Sequence, residues 1–175
     1  MQIRRRYRFG IPLLVLVLVF ATLTVRLFVR PALPPVPART DAIVLLGGPG
    51  NRSDIALGLA LGGAAPVLVQ SVSDPYARYC VNGIPELTVV CFHPDPNTTQ
   101  GEAEFVGKLA AQRHWHSILL VVTPDQAWRA RLRFARCFSG QIYVITAHLP
   151  AVWWVRQIPY QWGATVKALT FDRGC

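Results

Sequence analysis

The chain has no acidic residue among positions 4–30, although six of its 18 Lys/Arg residues sit there. Several motifs are also missing. No CxxC pair and no Cys/His metal-ligand spacing occurs among its four cysteines and four histidines, which argues against a zinc site, and no metal is expected. No glycine loop ends in Lys-Ser/Thr, so there is no Walker phosphate loop. Ser71 and Ser73 lack a surrounding G-x-S-x-G, so a serine-hydrolase elbow is excluded. There is no long basic stripe with interleaved aromatics, and nucleic acid is not an expected partner. No internal repeat is visible.

What is there begins with a membrane-type segment. Arg4, Arg5, Arg6 and Arg8 precede an apolar stretch, Gly10 to Val29, interrupted only by Arg26. A bilayer core needs about 20 predominantly apolar residues, and Arg26 can snorkel to the far interface. The alternative is a cleaved signal peptide, but no small-x-small cleavage site follows the run. The basic flank keeps the N-terminus cytoplasmic and exports the rest. The expected organisation is a cytoplasmic basic tail at 1–9, a transmembrane anchor at 10–29, a Pro-rich linker at 30–40 and one domain at 41–175. The linker Pro31-Ala-Leu-Pro-Pro-Val-Pro37 reads as a stiff spacer that lifts the domain off the membrane.

The net charge of +9 is concentrated at the anchor. Beyond it, twelve Lys/Arg against nine Asp/Glu leave only +3. A mildly basic exported domain favours anionic headgroups or phosphorylated substrates. All four cysteines, Cys80, Cys91, Cys137 and Cys175, lie in that domain. An even count in an exported domain points to disulfides. The favoured pairing is Cys80–Cys91 closing a local loop, with Cys137–Cys175 tying the C-terminus to a helix. Buried free thiols are the alternative.

The domain reads as βαβαβαβαβα. Strands are expected at Ala42–Leu46, Pro66–Ser71, Leu87–Phe92, Ser117–Val122 and Gln141–Ile145. Helices are expected near Ser53–Gly63, Gln100–Arg113, Ala127–Phe138 and Trp153–Leu169, and Ser73–Pro85 is turn-rich. The alternation predicts an α/β fold: a Rossmann-like open parallel five-stranded sheet with helices on both faces, behind the transmembrane helix. Apolar runs such as Ala42–Leu46, Leu87–Phe92 and Ser117–Val122 suit strands buried on both faces.

Polar clusters follow three of these strands. In an open parallel sheet the carboxyl ends share one edge, and ligands bind there. Gly47-Gly48-Pro49-Gly50-Asn51-Arg52 would let backbone approach a phosphate, with Arg52 as clamp. Thr99 and Glu102 form a capping box, Thr99 at the N-cap, and Glu102 is the best-placed acid–base carboxylate. Thr123 ends its strand, and Arg129 enters the cleft from the next helix. Arg131, Arg133 and Arg136 read as a solvated basic face. Trp153, Trp154, Tyr160 and Trp162 pack the last helix on the sheet, with a dip into the membrane interface as the alternative.

At these clusters the chain resembles the YdcF-like family, the SanA- and ElyC-type bacterial envelope proteins. The matching motifs are Leu46-Gly47-Gly48 with Arg52, Gly63-Ala64-Ala65-Pro66, Thr99-Gln-Gly-Glu102-Ala103, and Val122-Thr123-Pro124 with Arg129-Ala130. The Arg- and Ala-rich composition resembles an actinobacterial branch. The resemblance implies a membrane-anchored envelope protein with a Rossmann-like domain, linked to peptidoglycan or polysaccharide precursor metabolism. It would bind a phosphorylated or lipid-linked intermediate through Gly47, Gly48, Arg52, Thr99, Thr123 and Arg129, with Glu102 serving any hydrolysis or transfer at phosphate. One departure stands out: the family His before Arg-Ala is absent, and Asp125-Gln126-Ala127-Trp128 stands in its place. A non-catalytic envelope interaction module is therefore the second expectation. A nucleotide or S-adenosylmethionine binder, with Asp74 as the acidic residue for a ribose, is the third.

Overall fold

The computed structural model describes residues 3–72, 80 and 83–175. Most of the turn-rich stretch from Ser73, and with it Asp74, lies outside the described residues. Five strands form one all-parallel sheet in the order β3-β2-β1-β4-β5: β1 (Ala42–Leu45), β2 (Val67–Ser71), β3 (Thr88–Phe92), β4 (Ser117–Val122) and β5 (Gln141–Thr146). An N-terminal helix α1 (Ile3–Thr24), continued by a π-helical turn (Val25–Val29), precedes them. The longer helices among the described residues are then α2 (Arg52–Leu61), α3 (Thr99–Gln112), α4 (Pro124–Cys137) and α5 (Ala151–Thr170).

Side chains alternate across a strand, and that alternation splits the core in two. Val44, Val69, Leu120 and Val122 face Ala103 and Val106 of α3 and Ala127, Ala130 and Phe134 of α4. Ile43, Leu45, Leu68, Leu119 and Val121 face Ala56 and Ala60 of α2. The central strands β1 and β4 are buried on both faces, as their uninterrupted apolar runs require. The edge strand β3 departs from that expectation and is only partly buried, because one of its sides has no neighbouring strand.

Helix α4 begins at Pro124, three residues before its expected start. Proline at the first helical position is pre-organised for the turn and loses no needed N–H. Both disulfides follow the favoured pairing: Cys80–Cys91, with Cα atoms 5.8 Å apart, and Cys137–Cys175, at 4.9 Å.

Two surface expectations are corrected. Arg133 and Arg136 are not a solvated face. Arg133 is buried and pairs with Asp172 at 3.4 Å, and Arg136 Nη1 donates to the carbonyls of Ala168 (3.0 Å) and Asp172 (2.7 Å). They satisfy carbonyls at the C-terminal end of α5, where a helix dipole favours cations. Only Arg131 remains exposed. The Pro-rich linker is not a free spacer either. Leu33 packs on one half of the core and Val36 on the other. Thr40 N–H donates to the Ala64 carbonyl at 2.8 Å.

The end of the N-terminal helix is likewise packed against the domain. Phe28 is fully buried, and Trp162 of α5 meets it edge-on at 5.3 Å and stacks on Phe20 at 5.1 Å. The Trp162 indole N–H donates to Thr24 Oγ1 at 3.1 Å. Trp162 therefore joins the last helix to the first, and does not simply pack α5 on the sheet.

Candidate functional site

The strand order reverses direction between β1 and β4, the point where an open α/β sheet leaves a crevice at its carboxyl edge. A cleft of about 220 Å³ lies there. Gly47 and Gly48 line it from the loop after β1, and Ser71 from the end of β2. Asn97, Thr98, Thr99 and Glu102 come from the start of α3, Gln126 and Arg129 from α4, and Tyr160 from α5.

Thr98, not Thr99, caps α3. Its backbone is extended, and its Oγ1 accepts from the Gly101 N–H at 3.4 Å. Gly101 fixes that register, since a Cβ there would collide with the Pro96 carbonyl. The expected Thr99–Glu102 capping box therefore does not form. Thr99 is the first helical residue, and Glu102 stands one turn in, free of any capping duty.

Glu102 instead turns to the neighbouring strand loops. Its Oε1 accepts from Gly47 N–H at 2.8 Å, and the Ser71 hydroxyl donates to the same carboxylate. Burial pushes its pKa up, against the pull of Gly47 N–H, the Ser71 hydroxyl, Arg52 and Arg129. A carboxyl raised in this way exchanges its proton closer to neutrality, as acid–base work requires.

Arg52 is completely buried and does not line the cleft. Its Nη1 donates to the Gly47 carbonyl (2.9 Å) and to Gln126 Oε1 (3.1 Å), while Nε and Nη2 find no protein acceptor. Burial lowers its pKa to about 10, with Glu102 and Asp125 opposing the fall, so it stays cationic at neutral pH. Gly48 has a φ of 134°, and a Cβ there would strike the Arg52 guanidinium. Arg52 thus braces the Gly47-Gly48 turn from behind and adds positive potential to the cleft. It is not the direct clamp expected from the sequence.

Arg129 does reach the cleft. Its Nε donates to Gln161 Oε1 at 2.9 Å and its Nη1 to Thr99 Oγ1 at 2.9 Å. Gln161 in turn donates from Nε2 to Asp125 Oδ2 at 2.8 Å. The relay Asp125–Gln161–Arg129–Thr99 locks the guanidinium across three helices. Burial lowers the Arg129 pKa, partly countered by Tyr160 and Glu102.

Thr123 is fully buried and is not among the lining residues. Its hydroxyl, like Asp125 Oδ1, has no hydrogen-bond partner among the described residues. Ser71, Tyr160 and Gln161 were not expected at the site. Gln161 lies on the inner face of α5 in line with Gln157, Thr165 and Ala168, a mixed pattern that gave no clear signal of its role. His93, His116 and His148 make their hydrogen bonds elsewhere, to Val72 O, Asp41 and Asn51. Among the described residues no cluster of three His, Cys, Asp or Glu could hold a metal ion.

The cleft therefore combines one exposed-edge guanidinium, a second cation behind the glycine turn, hydroxyls of Ser71 and Thr99, and a buried carboxyl. That set suits an oxyanion and a proton transfer. No family model, curated protein or solved structure matches this chain.

Proposed function

We propose that this chain is a single-pass, membrane-anchored envelope protein of YdcF-like type. Its strand-end cleft binds the phosphoryl group of a phosphorylated or lipid-linked cell-wall or polysaccharide intermediate. The observation that carries this reading is Arg129, fixed by Gln161 and Thr99 and placed in the same small cleft as Glu102. Planar guanidinium groups held in this way recognise phosphate. The helix Gly10–Val29 is long and apolar enough to span a bilayer. Its basic N-terminal flank favours a cytoplasmic tail, and two disulfides suit an oxidising compartment outside the membrane. If phosphate is hydrolysed or transferred, Glu102 takes the proton of the attacking water or hydroxyl.

The absence of a histidine before Arg129 supports the second reading, binding without turnover. Gln126 lines the cleft in that segment and is held by Arg52. It cannot shuttle a proton near neutral pH.

The test is a thermal-shift assay on the full chain in detergent, with a short-chain prenyl phosphate, a nucleotide sugar and inorganic phosphate as probes. A probe at 100 times its Kd adds about 2.7 kcal/mol. We expect a prenyl phosphate shift that R129A abolishes. A shift that survives in R129A, or none with any phosphate, overturns the proposal. Release of inorganic phosphate from the bound probe, lost in E102Q, separates catalysis from binding alone.

A further inference from the structure

Helix α5 carries an apolar stripe that no other part of the domain covers among the described residues. Val152, Val155, Pro159, Trp162, Val166 and Leu169 fall on one side of the helix at spacings of three and four, beside the buried face of Gln161, Thr165 and Ala168. Val152 is 80% exposed, Val155 85%, Val166 51% and Leu169 44%. The stripe is continuous with the membrane-type helix, because Trp162 contacts Phe20, Thr24 and Phe28.

We infer that α5 lies in the outer leaflet, with this stripe against the acyl chains. The inference rests on the membrane-spanning reading of Gly10–Val29 proposed above. Thr24 lies about 8 Å, and Phe20 about 14 Å, inside the outer end of that span at a rise of ~1.5 Å per residue. Trp162 touches both, so α5 sits at that depth. If α5 were in water, the segment from Phe20 outward would leave the bilayer with it. Only Gly10–Val19 would remain, about 15 Å of helix against a hydrocarbon core of about 30 Å. Interfacial helices bury an apolar face about 5–10 Å into the headgroup boundary, which matches this placement. Arg156 borders the stripe and is exposed, as a residue that reaches for anionic headgroups should be, while Lys167 on the same border pairs with Asp172 at 3.1 Å. Tyr160, on the same helix, lines the cleft, so the cleft rim comes to headgroup depth.

The test places a nitroxide on single introduced cysteines of the full chain in phosphatidylethanolamine–phosphatidylglycerol nanodiscs. The native cysteines are paired in disulfides. V155C and V166C report the stripe, V17C the anchor, and L61C the exposed surface of α2. Relaxation by lipid-soluble oxygen is compared with relaxation by a water-soluble nickel chelate. Labels at 155 and 166 should favour oxygen over nickel, less strongly than the deeper label at 17, while the label at 61 favours nickel. Nickel access at 155 and 166, with oxygen at 17, overturns the inference but leaves the anchor. Shielding of 155 and 166 from both relaxants shows a protein covering the face and also overturns it. Nickel access at 17 overturns the anchor reading, and this inference with it.

Discussion

Two cations pull the Glu102 carboxyl toward ionisation, and burial pulls harder the other way. The sign of the pH effect follows. A carboxyl whose folded pKa is raised binds more protons in the native state than in the unfolded one. Its contribution is complete below the ordinary value of 4.5 and is lost as pH rises through the folded pKa. The wild type should therefore lose thermal stability relative to E102Q as pH climbs from 4.5 through that value. Each kcal/mol lost lowers Tm by about 2–4 °C in a chain of this size. Melting curves of both proteins across that range check it, and parallel profiles would show that burial leaves Glu102 unperturbed. The candidate role of Glu102 was visible in the sequence, but for a different reason. Its spacing from Thr99 suggested a capping box, whereas its buried partners are Gly47 and Ser71, residues 55 and 31 positions away.

Helix α3 starts with two adjacent threonines, either of which is chemically fit to cap it. Local sequence cannot choose between them, because Ser/Thr preference at the N-cap says nothing of which hydroxyl faces the N–H. The choice is made by packing of Gly101 against the Pro96 carbonyl. The two residues should therefore separate cleanly. T98A should cost about 1 kcal/mol of stability, the usual value of a cap. T99A should leave the melt nearly unchanged and weaken phosphate binding about tenfold, since it removes a hydrogen bond that orients a charged donor. Melting and titration of the two variants check this, and the reverse assignment would restore Thr99 as the cap. The early start of α4 has a similar origin. Thr123-Pro124 is a good helix entry, but the periodic apolar signal begins only at Ala127.

Across the whole molecule, the N-terminal helix, the linker and the last helix behave as one packed unit. Trp162 is the join, with Phe28 buried beneath it and the linker following over Leu33 and Val36. W162A should loosen that unit without touching the cleft residues. Trypsin cleavage after Arg39, an exposed linker position, should then accelerate. If the docking is weakened by about 1.4 kcal/mol the acceleration is about tenfold, because cleavage follows the population of the open form. Digestion of the full chain in nanodiscs measures it. An unchanged rate would mean that the linker is held by its own contacts alone.

The sequence by itself determined the class of fold, the order of the elements and the membrane-type helix, and it favoured the two cysteine pairs that the fold brings together. These follow from local signals: uninterrupted β-branched runs for buried strands, glycine and proline stops, one long apolar stretch, and an even cysteine count. It also marked the carboxyl edge of the sheet, where the cleft lies, because strand ends are contiguous with the loops that follow them. Only the tertiary structure decided which polar residues share the cleft. It moved Arg52 behind the glycine turn, drew Gln161 and Tyr160 in from the far end of the chain, and turned Arg133 and Arg136 onto the end of α5. It also laid the linker on the domain and the last helix against the first. Such contacts join residues up to 138 positions apart, and no local pattern encodes them. They arise from burial, which forces each desolvated polar group to find a partner wherever the packed chain supplies one.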